Sequence, residues 1–235
     1  AFWHGGPYNK QRKRKTTEMG KRQLMKIACF ARPPKFWTRM VMMLIGVLVQ
    51  GFGLSLLIQI DLGTDPWTCF VMGISNRLPL TYGTWQLICA AVLFVFVVIF
   101  DLGKIGFGTI GNMVCVGYIA DFFGFIWSKV FPAGFFDSPL VCWLLLLPVL
   151  AVFISGASAY LCADLGGSPY DVLPFIISAR LPRVPFKVIR IAWDTAFLVL
   201  GFAIGGTVGI VTILIAFFLG PAISWFKARL AVFLR

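Results

Sequence analysis

The run from Met40 to Ile60, MVMMLIGVLVQGFGLSLLIQI, carries no charged side chain. A bilayer core of ~30 Å needs about 20 apolar residues of helix, and backbone in that environment must satisfy its own N–H and C=O groups. This run, and several like it further along, therefore dictate membrane-spanning helices. Composition agrees, with 59% hydrophobic and 13% charged residues against roughly 45–50% and ~25% in a soluble domain.

The net charge of +12 resembles a nucleic-acid signature until it is located. Residues 1–39 hold eleven Lys or Arg against Glu18, so this tail carries +10; residues 40–235 hold ten basic and eight acidic residues, leaving +2. A basic segment before a first spanning helix is what the positive-inside rule expects. The expected partners are thus the bilayer itself and anionic headgroups along the tail, with no nucleic acid. Apolar and basic residues alternate at helical spacing through "EMGKRQLMKIACFARPPKFW", which predicts a short interfacial helix ending before Pro33. A cleavable secretory signal is not expected, because the first apolar run starts only near residue 40.

Little points to catalysis or metal binding. The six cysteines form no C-x-x-C pair, the one His is His4, and residues 40–235 contain no Glu. Zinc sites, His-based triads and di-metal carboxylate bundles lack their ligands. The expectation is a non-enzymatic chain without catalytic residues, metal or cofactor.

A shift of 103 residues superposes Asp61-Leu62-Gly63 on Asp164-Leu165-Gly166 and Pro66 on Pro169. The same shift aligns Arg77-Leu78-Pro79 with Arg180-Leu181-Pro182, and Gly103, Gly106, Thr109 and Ile110 with Gly206, Gly209, Thr212 and Ile213. Chance likeness between greasy helices would fall on Leu, Val and Phe; these matches fall on residues that set backbone geometry or carry charge. They predict an all-α integral membrane protein of two tandem homologous repeats, 40–131 and 139–230, behind the basic tail 1–39.

Each repeat reads as a long helix (40–60; 140–163), an acidic turn, a short segment opening with Pro66 or Pro169, and two more long helices (83–100 and 105–128; 187–204 and 208–226). The short segments run about 13 residues, or about 20 Å of helix, too little for a bilayer. If they do not span, each repeat has three long transmembrane helices plus one half-helix, and the repeats are inverted. If they do, each repeat has four spanning helices and the two are parallel. Both arrangements leave the N- and C-termini on the cytoplasmic side.

Paired short, Gly/Pro-interrupted segments in two halves point to a transporter's binding site, and ionisable residues at membrane depth are functional candidates. The candidate substrate- or ion-binding residues are Asp61, Gly63, Asp65, Pro66 and Trp67 in the first half. In the second they are Asp164, Gly166, Ser168, Pro169, Tyr170 and Asp171, with Asp194 further on. The competing expectation is structural, with Asp and Ser capping helices and Gly63 and Gly166 ending them. Asp194 lies four residues after Arg190, a spacing that allows an ion pair on one helix face. Gln86 and Asp121 are weaker candidates of the same kind.

The ordered, duplicated set of G-x-S, D-L-G-x-x-P and glycine-rich "GKIGFGTI" or "GGTVGIVTI" resembles the bacterial YczE-like membrane proteins, relatives of the YitT group, over roughly 40–230. The resemblance implies a multi-pass protein of the bacterial cytoplasmic (inner) membrane and carries over no binding residues. The functional expectation is a small secondary transporter or permease with its site between the repeats. The alternative is an accessory, assembly or regulatory subunit of a larger membrane complex, with a protein partner.

Overall fold

The computed structural model describes residues 30, 32–215, 221, 225, 226, 228 and 229, and among them the chain is helices and turns without a strand. The expected interfacial helix of the tail lies outside the described residues, as does most of the last expected helix beyond 215. The helices are α1 (Phe36–Ile60), α2 (Pro66–Ser75), α3 (Tyr82–Phe100), α4 (Phe107–Val130), α5 (Pro139–Cys162), α6 (Pro169–Arg180) and α7 (Phe186–Ala203). Helical backbone returns over 210–215 as α8.

Four of these, α1, α3, α4 and α5, are long and apolar enough to cross a membrane. Helix α7 has comparable length, 18 residues, but carries Lys187, Arg190 and Asp194. Helices α2 and α6, with 10 and 12 residues, extend only about 15 and 18 Å at 1.5 Å per residue. Helix α1 begins four residues before the uncharged run because Arg39 is accommodated rather than excluded. Its guanidinium donates from Nη1 to the Ala163 carbonyl at 3.0 Å, and from Nε to Pro34, satisfying one of the unpaired carbonyls at the end of α5.

The centre is the α1–α5 pair, which meets backbone to backbone. A methyl group added at Gly46 would stand 2.5 Å from Tyr160 N, and one at Gly156 would stand 2.3 Å from Gln50 N. Close approach through small residues is how helices associate where lipid supplies no hydrophobic drive. Met43, Val47, Leu54 and Leu57 of α1 and Leu146, Leu150 and Phe153 of α5 are buried in this core. Helix α4 packs on α1, α3 on α4 and on α6, and α2 on α7. The outward faces are apolar as well, with Val92, Ile99, Leu140, Leu144, Val199 and Phe202 exposed. Helices that are apolar all round belong in lipid. The protein is a multi-pass membrane protein.

Candidate functional site

Helix α1 ends because Asp61 turns into the left-handed region (φ 51) and Gly63 follows at φ 98; α5 gives way to Asp164 (φ 54) and Gly166 (φ 101). Side chains rarely adopt such a conformation, and Gly does so without a Cβ penalty. Both glycines also sit where no side chain fits. A methyl at Gly63 would meet Gly209 N at 2.4 Å, and one at Gly166 would meet Gly106 N at 2.6 Å.

Each turn is held by the start of a distant helix. Val211 N–H donates to the Leu62 carbonyl at 3.2 Å, and Gly108 N–H donates to the Leu165 carbonyl at 2.8 Å. Thr212 Oγ1 donates to the Thr64 carbonyl at 2.7 Å. The glycine-rich stretches around 106–109 and 209–212 therefore dock the acidic turns, a role that spacing within the sequence did not disclose.

After each turn a short helix starts on a capped proline. Asp65 caps α2, accepting from Thr68 N at 3.1 Å and Thr68 Oγ1 at 2.6 Å. Ser168 caps α6, accepting from Asp171 N at 3.2 Å while its hydroxyl donates to Asp171 Oδ2 at 2.8 Å. The carboxylate and the hydroxyl have exchanged places between the two caps. Pro66 and Pro169 occupy the first helical position, where a missing N–H costs nothing. Pro174, lacking an N–H, leaves the Tyr170 carbonyl without its helical donor.

Both helix starts open on one cavity of about 660 Å³, lined by Asp65, Pro66, Trp67, Ser168, Pro169, Tyr170 and Asp171 with Asp194 and Arg190 of α7. The Trp67 and Tyr170 rings lie 5.3 Å apart. Arg190 donates from Nη1 to Asp171 at 3.1 Å and from Nε to Asp194 at 3.0 Å, and its guanidinium carbon stands 5.3 Å from the centre of the Tyr170 ring. Tyr170 Oη donates to the other oxygen of Asp194. One cation thus ties α7 to α6 through Asp171 while pairing with Asp194 of its own helix.

The expected i,i+4 pair of Arg190 and Asp194 is present, and Asp171 makes it a triad. Eight of the sequence candidates line the cavity. Asp61, Gly63, Asp164 and Gly166 do not line it; the two aspartates are exposed, and the two glycines are packed against backbone. Of the weaker candidates, Gln86 lines the cavity, while Asp121 accepts from Gly83 N–H at 2.9 Å at the start of α3. Sequence reasoning passed over Gln50 and Asn112, paired at 3.2 Å, and Thr68, Tyr82 and Tyr160, all of which line the cavity. Gln50 and Asn112 were detectable as amides inside apolar runs. Nothing local marks Tyr82 or Tyr160.

Residues 37–228 match a family of unknown function, DUF6198. The chain belongs to this family. It is YczE-like: the uncharacterised membrane protein YczE of Bacillus subtilis (strain 168) is 28% identical over 176 residues, covering 74% of this chain and 79% of that one. An uncharacterised protein of Haemophilus influenzae is 30% identical over 188 residues, covering 78% and 81%. The uncharacterised protein YyaS of Bacillus subtilis is 29% identical over 171 residues, covering 72% and 83%. No solved structure matches. In this DUF6198 member, the cavity between the two short-helix starts is therefore the feature from which function has to be argued.

Proposed function

We propose that this protein is a small secondary transporter or permease whose solute occupies the cavity between α2 and α6. The observation that carries the reading is that both short helices begin at one cavity of about 660 Å³, to which charged side chains are presented inside an apolar bundle. Keeping an Arg and three Asp side chains in such surroundings is costly and marks solute or ion pathways. Broken helices whose ends meet in the interior are the architecture by which transporters present polar groups to cargo. The reading is non-enzymatic, and its starting point is a sequence with neither Glu nor His after residue 39.

The reading includes two tandem repeats, 40–131 and 139–230, in inverted topology. Its support is that positions 103 apart take the same backbone form, as Asp61 and Asp164 or Gly63 and Gly166 do. The paired hydrogen bonds onto Leu62 and Leu165 lend further support. The membrane is the cytoplasmic one, with both termini on the cytoplasmic side and the tail against anionic headgroups, as the charge of residues 1–39 favours. In an accessory-subunit reading, that basic tail docks a protein partner instead.

Counterflow into proteoliposomes, run beside co-purification in mild detergent, separates the two. Solute exchange by the isolated protein supports the permease. A stoichiometric partner with no exchange across a broad metabolite panel overturns it in favour of the subunit.

A further inference from the structure

We infer that the cavity takes a small organic cation, an amine-bearing solute held between the Asp65 carboxylate and the aromatic rings beside it. The inference rests on the permease reading and specifies its cargo. Formal charge comes first. Among the described residues, Asp65, Asp171 and Asp194 line the cavity against Arg190 alone, a formal balance of −2. The charge of Arg190 is already matched, because its Nε and Nη1 go to Asp194 and Asp171 and its face lies over Tyr170.

Helix dipoles oppose this balance, each N-terminus contributing roughly +0.5 charge, and two such termini leave the cavity at about −1. The termini are also poor anion nests. In α2, Pro66 has no N–H, the Thr68 N–H is taken by the Asp65 side chain, and the Cys69 N–H by the Asp65 carbonyl. In α6, Pro169 has none, and the Asp171 and Val172 N–H groups go to Ser168. One backbone donor remains on each helix, on Trp67 and on Tyr170, too few to cradle a carboxylate or phosphate.

What remains open suits a cation. Asp65 uses two acceptor sites on Thr68, and a carboxylate has about four. Trp67, Tyr82 and Tyr160 line the same space, and aromatic faces attract a cation. Gln86 is a further polar group beside the cavity. It lines the cavity and is only 4% exposed, yet its Oε1 has no hydrogen-bond partner. A buried polar atom without a partner is costly; this oxygen packs toward Gly117 of α4, and a rotation of the carboxamide would bring it to an ammonium N–H in the cavity.

The test uses the purified full chain in detergent with four probes: butylammonium, tetraethylammonium, butyrate and zwitterionic alanine. Binding is followed by tryptophan fluorescence and melting temperature, and the same four are run in proteoliposome counterflow. At least one ammonium probe is expected to bind ten-fold or more tightly than butyrate and alanine. Asp65→Asn, which keeps the capping oxygen, is expected to weaken that probe at least ten-fold with the melting temperature held. Asp61→Asn, outside the cavity, is expected to leave the affinity unchanged. The inference is overturned if butyrate or alanine binds as well as the ammonium probes, if no probe binds, or if Asp65→Asn binds like wild type. Ammonium binding without counterflow sinks the permease reading and leaves the cation site standing. Counterflow of butyrate or alanine alone sinks the cation site and leaves the permease.

Discussion

Replacing Arg190 by Gln removes the one cation that joins Asp171 of α6 to Asp194 of its own helix. The two ion pairs are 3.1 and 3.0 Å long, and the side chains are 27–33% exposed. At an effective dielectric of about 20 each pair is worth about 4 kcal/mol of gross attraction, most of it offset by desolvation of the charges. Exposed pairs net about 0–1 kcal/mol, while breaking a buried pair costs about 3–5 because a charge is left uncompensated. Side chains about a third exposed fall between these limits, so Arg190→Gln is expected to lose about 2 kcal/mol. For a chain of this size that lowers the melting temperature by roughly 4–8 °C, read by tryptophan fluorescence in detergent. The diagnostic comparison is Arg190→Gln with Asp171→Asn and Asp194→Asn. With no carboxylate left uncompensated, the triple variant is expected to melt above the single one despite carrying more changes. A single variant within about 1 °C of wild type, or a triple variant that melts lower still, would refute the electrostatic account of how α6 and α7 are joined.

Gly166→Ala combines a φ of 101° with a methyl 2.6 Å from Gly106 N, so strain and overpacking together should cost about 3 kcal/mol or more. Gly124→Ala, whose methyl meets only Gln59 Nε2 at 3.9 Å, should instead be neutral or stabilising by up to about 1 kcal/mol; equal melting temperatures for the two would contradict the docking of the acidic turns. Asp61→Asn and Asp164→Asn change exposed residues in a conformation that Asn tolerates, so each should stay within about 0.5 kcal/mol of wild type and keep solute exchange. Loss of exchange in either would return the turns themselves to the site. Cysteines introduced beside Arg77 and beside Arg180 should react with impermeant maleimide from opposite sides of the membrane, and labelling from one side would rule out inverted repeats.

Wherever a single segment suffices to satisfy the physics, the sequence was enough. An uncharged run as long as 40–60 has to be a helix in lipid, and Pro66 or Pro169 beside an Asp or Ser has to start one. The all-α membrane class, the short helices, their caps and the i,i+4 pair of Arg190 and Asp194 were legible for that reason. Eight cavity-lining residues were legible too, because polar residues and broken helices at membrane depth are expensive and so stand out.

What depends on two distant segments was not legible. Asp61 and Asp65 look alike within DLGTDPW, but the left-handed turn at Asp61 leaves its carboxylate exposed on the outside. Docking of that turn against Gly209 and Thr212 carries Asp65 into the cavity. The second bond of Arg190, to Asp171, spans two helices, and Tyr82 and Tyr160 acquire their role only by facing the same space. Periodicity and propensity act over one helical turn. Which side of an aspartate-bearing turn meets a cavity is decided by backbone contacts between segments far apart in the chain, Leu62 with Val211 and Leu165 with Gly108, and those form only when the helices pack.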